Sequence, residues 1–207
     1  MYSLDFRQFE RTLRTQEKTL GRFTFRPLSI PEDTPLLHSW VTRPYAIFWG
    51  LQGASAATVE QEYRRIADSC DVYLGLSEQG PVLLMEVYDP ANGSIGSHYP
   101  VNEGDAGMHI LVAPPTRRIS GYTWQMFTLV MDFLFSSPEI NRVVVEPDSR
   151  NHKIHALNRR AGFIIEKQIS LPEKSALLSF CARSDYQQAM IKDKDKTDAV
   201  SFFQATL

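Results

Sequence analysis

The sequence predicts a single α/β domain, a mixed sheet with helices packed on it. Two features carry this prediction. The second half alternates strand, helix, strand, helix and strand patterns. No internal repeat or low-complexity linker divides the 207 residues, which favours one folding unit. Length and composition agree: 43% hydrophobic and 22% charged residues suit a globular chain that buries a full core without staples.

The elements follow in order. Residues 4–20 place Phe6, Phe9, Leu13 and Leu20 among charges, which reads as a loosely amphipathic helix in an N-terminal extension over residues 1–21. RFTFRPL alternates apolar and polar positions as a strand does and opens the domain proper, residues 22–183. Asp33 is the expected cap of a helix through Leu36, Leu37 and Trp40. A second helix is expected to open at Thr58, with Gln61 closing a capping box and Val59, Tyr63 and Ile66 buried. DVYLGLSE and PVLLMEVYD form a hairpin about Gln79-Gly80, and a polar loop follows from Asp89 to Asp105.

AGMHILV is a short apolar strand stopped by Pro114-Pro115. From Ser120 to Phe135 the positions Trp124, Phe127, Val130, Met131 and Leu134 repeat at helical spacing. RVVVEP is a buried strand, and NHKIHALNRRAG is a helix with Asn151 as N-cap and Gly162 at its C-terminal end. FIIEKQISL and SALLSFCAR are two further strands. The tail, residues 184–207, carries the charge run KDKDKTD and an apolar end that docks on the core or on a partner subunit, the latter making a homodimer.

A net charge of −2 gives no general affinity for nucleic acid or an anionic membrane. Cys70 and Cys181 lie far apart without metal-ligand spacing and read as inert core thiols in a reducing compartment. No apolar run is long enough to span a bilayer, and MYSLDFRQFERTLR lacks a secretory signal, so a cytoplasmic location is expected. His152 and His155 share a helical face, but no carboxylate or cysteine completes a metal site.

Two stretches carry chemistry. In VAPPTRRISGYTW a strand ends, a proline pair breaks pairing, and a helix begins near Ser120 behind Arg117 and Arg118. Backbone N–H groups at that helix start form an anion site that Gly121 leaves open to close approach; taken alone the junction equally reads as a capped helix with solvated arginines. No GxxxxGK[ST] loop is present, which argues against a nucleotide triphosphatase. The second stretch is EPDSRNHKIHALNRRAGF, a strand, turn and helix.

Together these stretches resemble the GNAT acetyltransferase superfamily. Val112, Pro114, Arg118 and Gly121 fall on that family's CoA-pyrophosphate loop, and Asn151, Leu157, Gly162 and Phe163 on its following helix. The pattern departs at the second proline before Arg117-Arg118, at Thr123, at Ile154, and at Asn158, where many relatives carry an acidic tyrosine. The resemblance implies a mostly antiparallel central sheet flanked by helices. It implies acyl-CoA (acetyl-CoA or succinyl-CoA) as co-substrate, held by Val112, Arg117, Arg118, Ser120, Gly121, Tyr122, Thr123, Asn151 and Asn158, with no metal. It leaves the general acid unassigned.

From Pro44 to Leu178 the segments RPYAIFWGL, LLMEVYDP, GDAGMHILVAPP, VVVEPDSRN and LPEKSALL are similar to hydroxamate-siderophore N-acyltransferases. That resemblance implies acylation of the hydroxylamine nitrogen of an N-hydroxylated amine of the N-hydroxylysine, N-hydroxyputrescine or N-hydroxycadaverine type. It also implies a functional link to an amine N-hydroxylase and a siderophore synthetase, and it places the catalytic pair on His109 and Asp148. Alone, His109 reads as a core histidine; with the family it is the expected base. Asp148 is evenly a turn residue or a site residue that orients His109 or binds the acceptor. Tyr45, Phe48 and Trp49, with Glu86 and Tyr88 on one strand face, are the expected acceptor-pocket residues, although aromatic clusters are more often core. A backbone N–H at a bulge near Leu111 or Val112 is expected to polarise the thioester carbonyl. The rivals are a general amine, aminoglycoside or protein N-acetyltransferase on the same loop, and a non-catalytic acyl-CoA-binding module.

Overall fold

The computed structural model describes residues 18–114 and 119–205. Eight strands run β1 Lys18–Leu20, β2 Phe23–Pro27, β3 Cys70–Ser77, β4 Gly80–Tyr88, β5 Asp105–Val112, β6 Arg142–Val145, β7 Ile164–Ser170 and β8 Ser175–Ala182. Five helices interleave with them: α1 Thr34–Val41, α2 Ala56–Ala67, α3 Tyr122–Phe135, α4 His152–Arg160 and α5 Arg183–Ala205. The strands form one sheet in the order β1-β2-β3-β4-β5-β6-β8-β7. Every neighbouring pair is antiparallel except β5–β6, which is parallel. The α/β class and the mostly antiparallel sheet match the expectation.

The central strands are apolar on both faces because both faces are covered. Leu83, Met85 and Val87 of β4 join Ala106 and Met108 of β5 in a core under α3. Leu84 and Leu111 face the other way, against Leu37 and Trp40 of α1 and Val59 and Tyr63 of α2. Glu86 and His109, by the same alternation, project to the α1–α2 side.

β5 and β6 pair only over Asp105↔Arg142, Ala106↔Val143 and Gly107↔Val144. Beyond that point β5 runs on to Val112 beside β4, while β6 ends and turns at Pro147, which has no N–H to continue a ladder. The sheet therefore splits between two strands that remain in one fold. The β4–β5 register runs unshifted from Leu83↔Val112 to Tyr88↔Gly107, so the expected bulge near Leu111 is absent. The backbone direction it was meant to supply arises from the split instead. Ala113 N–H donates to Val82, so odd-numbered residues of β5 bond β4, and the N–H groups of Ile110 and Val112 point toward the gap.

Several local expectations change. The N-terminal helix lies mostly outside the described residues, and its end, Lys18–Leu20, is a strand paired with β2. Asp33 precedes α1 but makes no cap, because its carboxylate takes both Arg26 N–H groups at 2.7 Å and the Ser29 N–H at 2.8 Å. α2 opens at Ala56 on Ser55, whose hydroxyl accepts from Thr58 N–H, so Thr58 is inside the helix and not its cap. Asn151 caps α4, accepting from Ile154 N–H at 3.3 Å. The first turns of the tail are helix α5 and dock on the chain itself. Tyr186 is buried and donates to Asp132, and Asp193 accepts from Trp124 and Arg160.

Candidate active site

A cleft of about 640 Å³ opens where β5 and β6 part, a size that suits a small-molecule site. At its centre is His109. Its Nδ1 lies 2.8 Å from Glu86 Oε2 on β4, and its Nε2 lies 2.8 Å from Glu146 Oε1 just past β6. An ionised carboxylate only accepts, so two of them facing both ring nitrogens favour the charged imidazolium. Burial opposes that charge, but the two glutamates outweigh it and raise the His109 pKa to about 10.

Glu146 is held from several sides. Tyr88 donates its hydroxyl to Oε2 at 2.7 Å, and Lys174 donates to Oε1 at 3.3 Å. Burial works against its ionisation, yet the His109 charge and these donors bring its pKa down to about 2. Tyr88 reaches Glu146 by crossing over Gly107. A Cβ on that glycine would sit 2.2 Å from the Tyr88 ring, so only glycine lets the ring pass.

Asp148 lines the same cleft but does not touch His109. Its Oδ1 accepts from the N–H and Nε–H of Arg150, and its Oδ2 accepts from Arg150 Nη2 at 2.7 Å, which holds its pKa down to about 2. His155 donates to the Asp148 carbonyl and pins the turn to α4. The orienting contact expected of Asp148 belongs to Glu86 and Glu146. For the expected base role of His109, both ring nitrogens face carboxylates, which hold the imidazole toward its charged form.

Of the expected acceptor residues, Phe48, Trp49 and Glu86 line the cleft. Trp49 also donates to Tyr63, whose phenol burial and the Glu86 charge push well upward. Tyr45 is outside the lining and exposed, and Tyr88 sits behind Glu146. Cys70, expected as an inert core thiol, is half-buried and lines the cleft. Burial and the Glu86 charge raise its pKa to about 11, so little nucleophilic thiolate forms at neutral pH.

Of the expected CoA residues, Asn151 and Asn158 line the cleft. Val112, Ser120, Gly121, Tyr122 and Thr123 do not; they form the β5–α3 junction. There Gly121 precedes α3 in the left-handed conformation, φ 73°, without a side-chain cap. Tyr122 turns its ring onto the core under α3. Arg117 and Arg118 lie outside the described residues. Glu146 is the residue sequence reasoning missed. Its signal was an acid closing the apolar run RVVV, the same clue that singled out Glu86.

Among the described residues no cluster of three or more His, Cys, Asp or Glu could hold a metal, and no helix is long and apolar enough to cross a membrane. The profile of the acetyltransferase (GNAT) domain matches residues 29–171. The chain is 24% identical to an N(6)-hydroxylysine O-acetyltransferase of Escherichia coli over 79% of its own length and 53% of that protein. It is 24% identical to an N-hydroxyputrescine acetyltransferase of Acinetobacter baumannii over 80% of both chains. It thus spans about half of the first relative and most of the second. Among solved structures it resembles an uncharacterized protein from Bacillus halodurans, with TM-score 0.75, 25% identity, and 84% and 93% of the two chains covered. An aminoglycoside acetyltransferase bound to coenzyme A shares the fold, with TM-score 0.69, 20% identity, and 80% and 98% covered.

Proposed function

Since this chain belongs to the GNAT acetyltransferase family, we propose that it transfers an acyl group from acyl-CoA to the hydroxylamine nitrogen of an N-hydroxylated amine. One observation carries the choice of acceptor: both nitrogens of His109 are bound to carboxylates. A site whose central imidazole holds its proton through neutral pH has no strong base ready for a protonated amine. An ordinary alkyl ammonium has a pKa near 10.4, so roughly one molecule in a few thousand is neutral at pH 7. A hydroxylamine nitrogen is far less basic and arrives with its lone pair free. The names of two relatives carry the same class of acceptor, N-hydroxylysine and N-hydroxyputrescine, the first of them as an O-acetyltransferase.

In the proposed reaction the neutral nitrogen attacks the thioester carbonyl. The C–N bond forms, the C–S bond breaks, and the nitrogen's proton ends on the departing sulfur, giving a hydroxamate and free CoA. The N–H of Ile110, aimed into the split between β5 and β6, polarises the carbonyl. Asp148 accepts the acceptor's O–H with lone pairs that Arg150 leaves open. His109 ties Glu86 to Glu146 and keeps that wall in place for the acceptor, between Phe48 and Trp49. The CoA pyrophosphate lies at the β5–α3 junction, on Gly121 and the arginines before it. Use of the hydroxamate in siderophore assembly, with an N-hydroxylase supplying the acceptor, completes the proposal.

The test compares kcat/KM for each N-hydroxylated diamine or lysine with its parent amine at pH 7, in wild type and Asp148→Asn. The hydroxylated substrate should win by more than about 100-fold, and Asp148→Asn should erode that preference, since an unpaired buried polar group discriminates strongly. Equal efficiency on both substrates would return the protein to the general amine acetyltransferases.

A further inference from the structure

Asn158 is the seventh residue after the Asn151 cap, on the face of α4 that Ile154 shares. It is 4% exposed and lines the cleft with Ile154, Phe127 and Val145, three apolar neighbours on that wall. Neither its Nδ2 nor its Oδ1 has a hydrogen-bond partner among the described residues. His109 is engaged with Glu86 and Glu146, Asp148 with Arg150 and Asn151 with Ile154, while Glu86 keeps one buried oxygen, Oε1, without a hydrogen-bond partner. The Asn158 backbone is anchored as well, its carbonyl accepting from Ala161 and Phe163 N–H. A buried carboxamide thus presents an unused NH2 group and an unused carbonyl oxygen to the cleft.

We infer that the Asn158 carboxamide binds a secondary amide of the pantetheine arm of acyl-CoA. Its Nδ2–H donates to the ligand carbonyl and its Oδ1 accepts the ligand N–H. This rests on the reading that acyl-CoA occupies the cleft. The alternative partner on the same arm is the sulfur. A thioester or thiolate sulfur uses only the donor half and leaves Oδ1 buried and unpaired, whereas an amide satisfies both halves. A carboxamide is also no acid, so Asn158 supplies no proton to the leaving group. It is a positioning residue that sets how deep the thioester reaches along the split sheet.

Calorimetric titration without any acceptor amine tests this, with CoA and desulfo-CoA as probes on wild type, Asn158→Leu and the isosteric Asn158→Asp. Losing two hydrogen bonds should weaken both probes roughly 5- to 30-fold in Asn158→Leu. Thermal unfolding of the ligand-free leucine variant should match or exceed wild type, because an apolar group replaces an unpaired buried amide. A purely structural asparagine would lower the melting temperature instead. Should the leucine variant misfold, Asn158→Asp, which keeps the shape and loses the donor, must still weaken both probes. Wild-type affinity for both probes in a folded variant overturns the inference. So does a penalty seen with CoA and absent with desulfo-CoA, which would assign the contact to sulfur. Failure of the wild type itself to bind either probe would refute the acyl-CoA reading, a different result from an indifferent Asn158.

Discussion

Strand β5 carries two ionic systems built on buried carboxylates, four residues apart, and they behave as different devices. At its start Asp105 accepts two hydrogen bonds from Arg142 at 2.7 Å, one from Tyr99 and one from the Asn102 N–H. Arg142 lies over the Phe180 ring at 4.3 Å. The cation there is an arginine, charged at any pH the protein meets, and it sits where β5 and β6 still pair. At His109 the cation is an imidazole between two glutamates, placed just past the last β5–β6 pair. Similar ingredients thus give a latch that closes the parallel pairing and a titratable clamp on the cleft that opens beyond it. The difference comes from the type of cation and its distance from the split.

Breaking the latch should have the largest effect. Arg142→Ala leaves the buried Asp105 charge without its cation, a loss of about 3–5 kcal/mol in urea denaturation. A loss below 1 kcal/mol would mean the pair is no latch. Gly107→Ala, between the two systems, should cost less, about 1–3 kcal/mol from overpacking against Tyr88. It should also reach the clamp, since a displaced Tyr88 no longer donates to Glu146. Turnover should fall while the Kd for CoA stays within error. Unchanged kcat in a folded Gly107→Ala protein would separate Tyr88 from the site.

The smallest effect is the most specific in sign. His109 is raised from its ordinary 6.5 to about 10 in the folded protein. Its contribution is therefore complete below about pH 6.5 and is lost as pH climbs through 10. Wild-type stability should decline over that window more steeply than that of His109→Gln, while the Arg142 latch contributes no slope. Imidazole NMR supplies the direct check: a His109 titration midpoint near 6.5 would refute the clamp. At the acid end the sign reverses, because Glu146 and Asp148 are both depressed to about 2 and lose their contribution as pH falls toward that value.

Much of this arrangement was legible without coordinates. Period-two alternation put Glu86 and Tyr88 on one face of β4, and in the structure both end in the His109 network. Asn151 was readable as a cap because an asparagine before a helical run has few better uses. Asp33 misled because the same carboxylate suited Arg26, a partner seven residues away that helix signals do not weigh. The tail's charge run said nothing of where its first turns would dock, since Asp193 meets Trp124 and Arg160 only through the fold.

The sequence by itself determined most of the strand and helix positions, which faces are apolar, and that an imidazole lies within one apolar strand and an acid just past the end of the next. Those properties are local, written in side-chain periodicity and capping chemistry. Only the tertiary structure decided that Glu146 meets His109 and that Asp148 turns to Arg150 instead. It alone decided that the cleft opens after Gly107, and that Asn158 is buried with its amide unspent. Each of these depends on the register between strands far apart in the chain and on where one pair stops pairing, and a face assignment does not contain that distance.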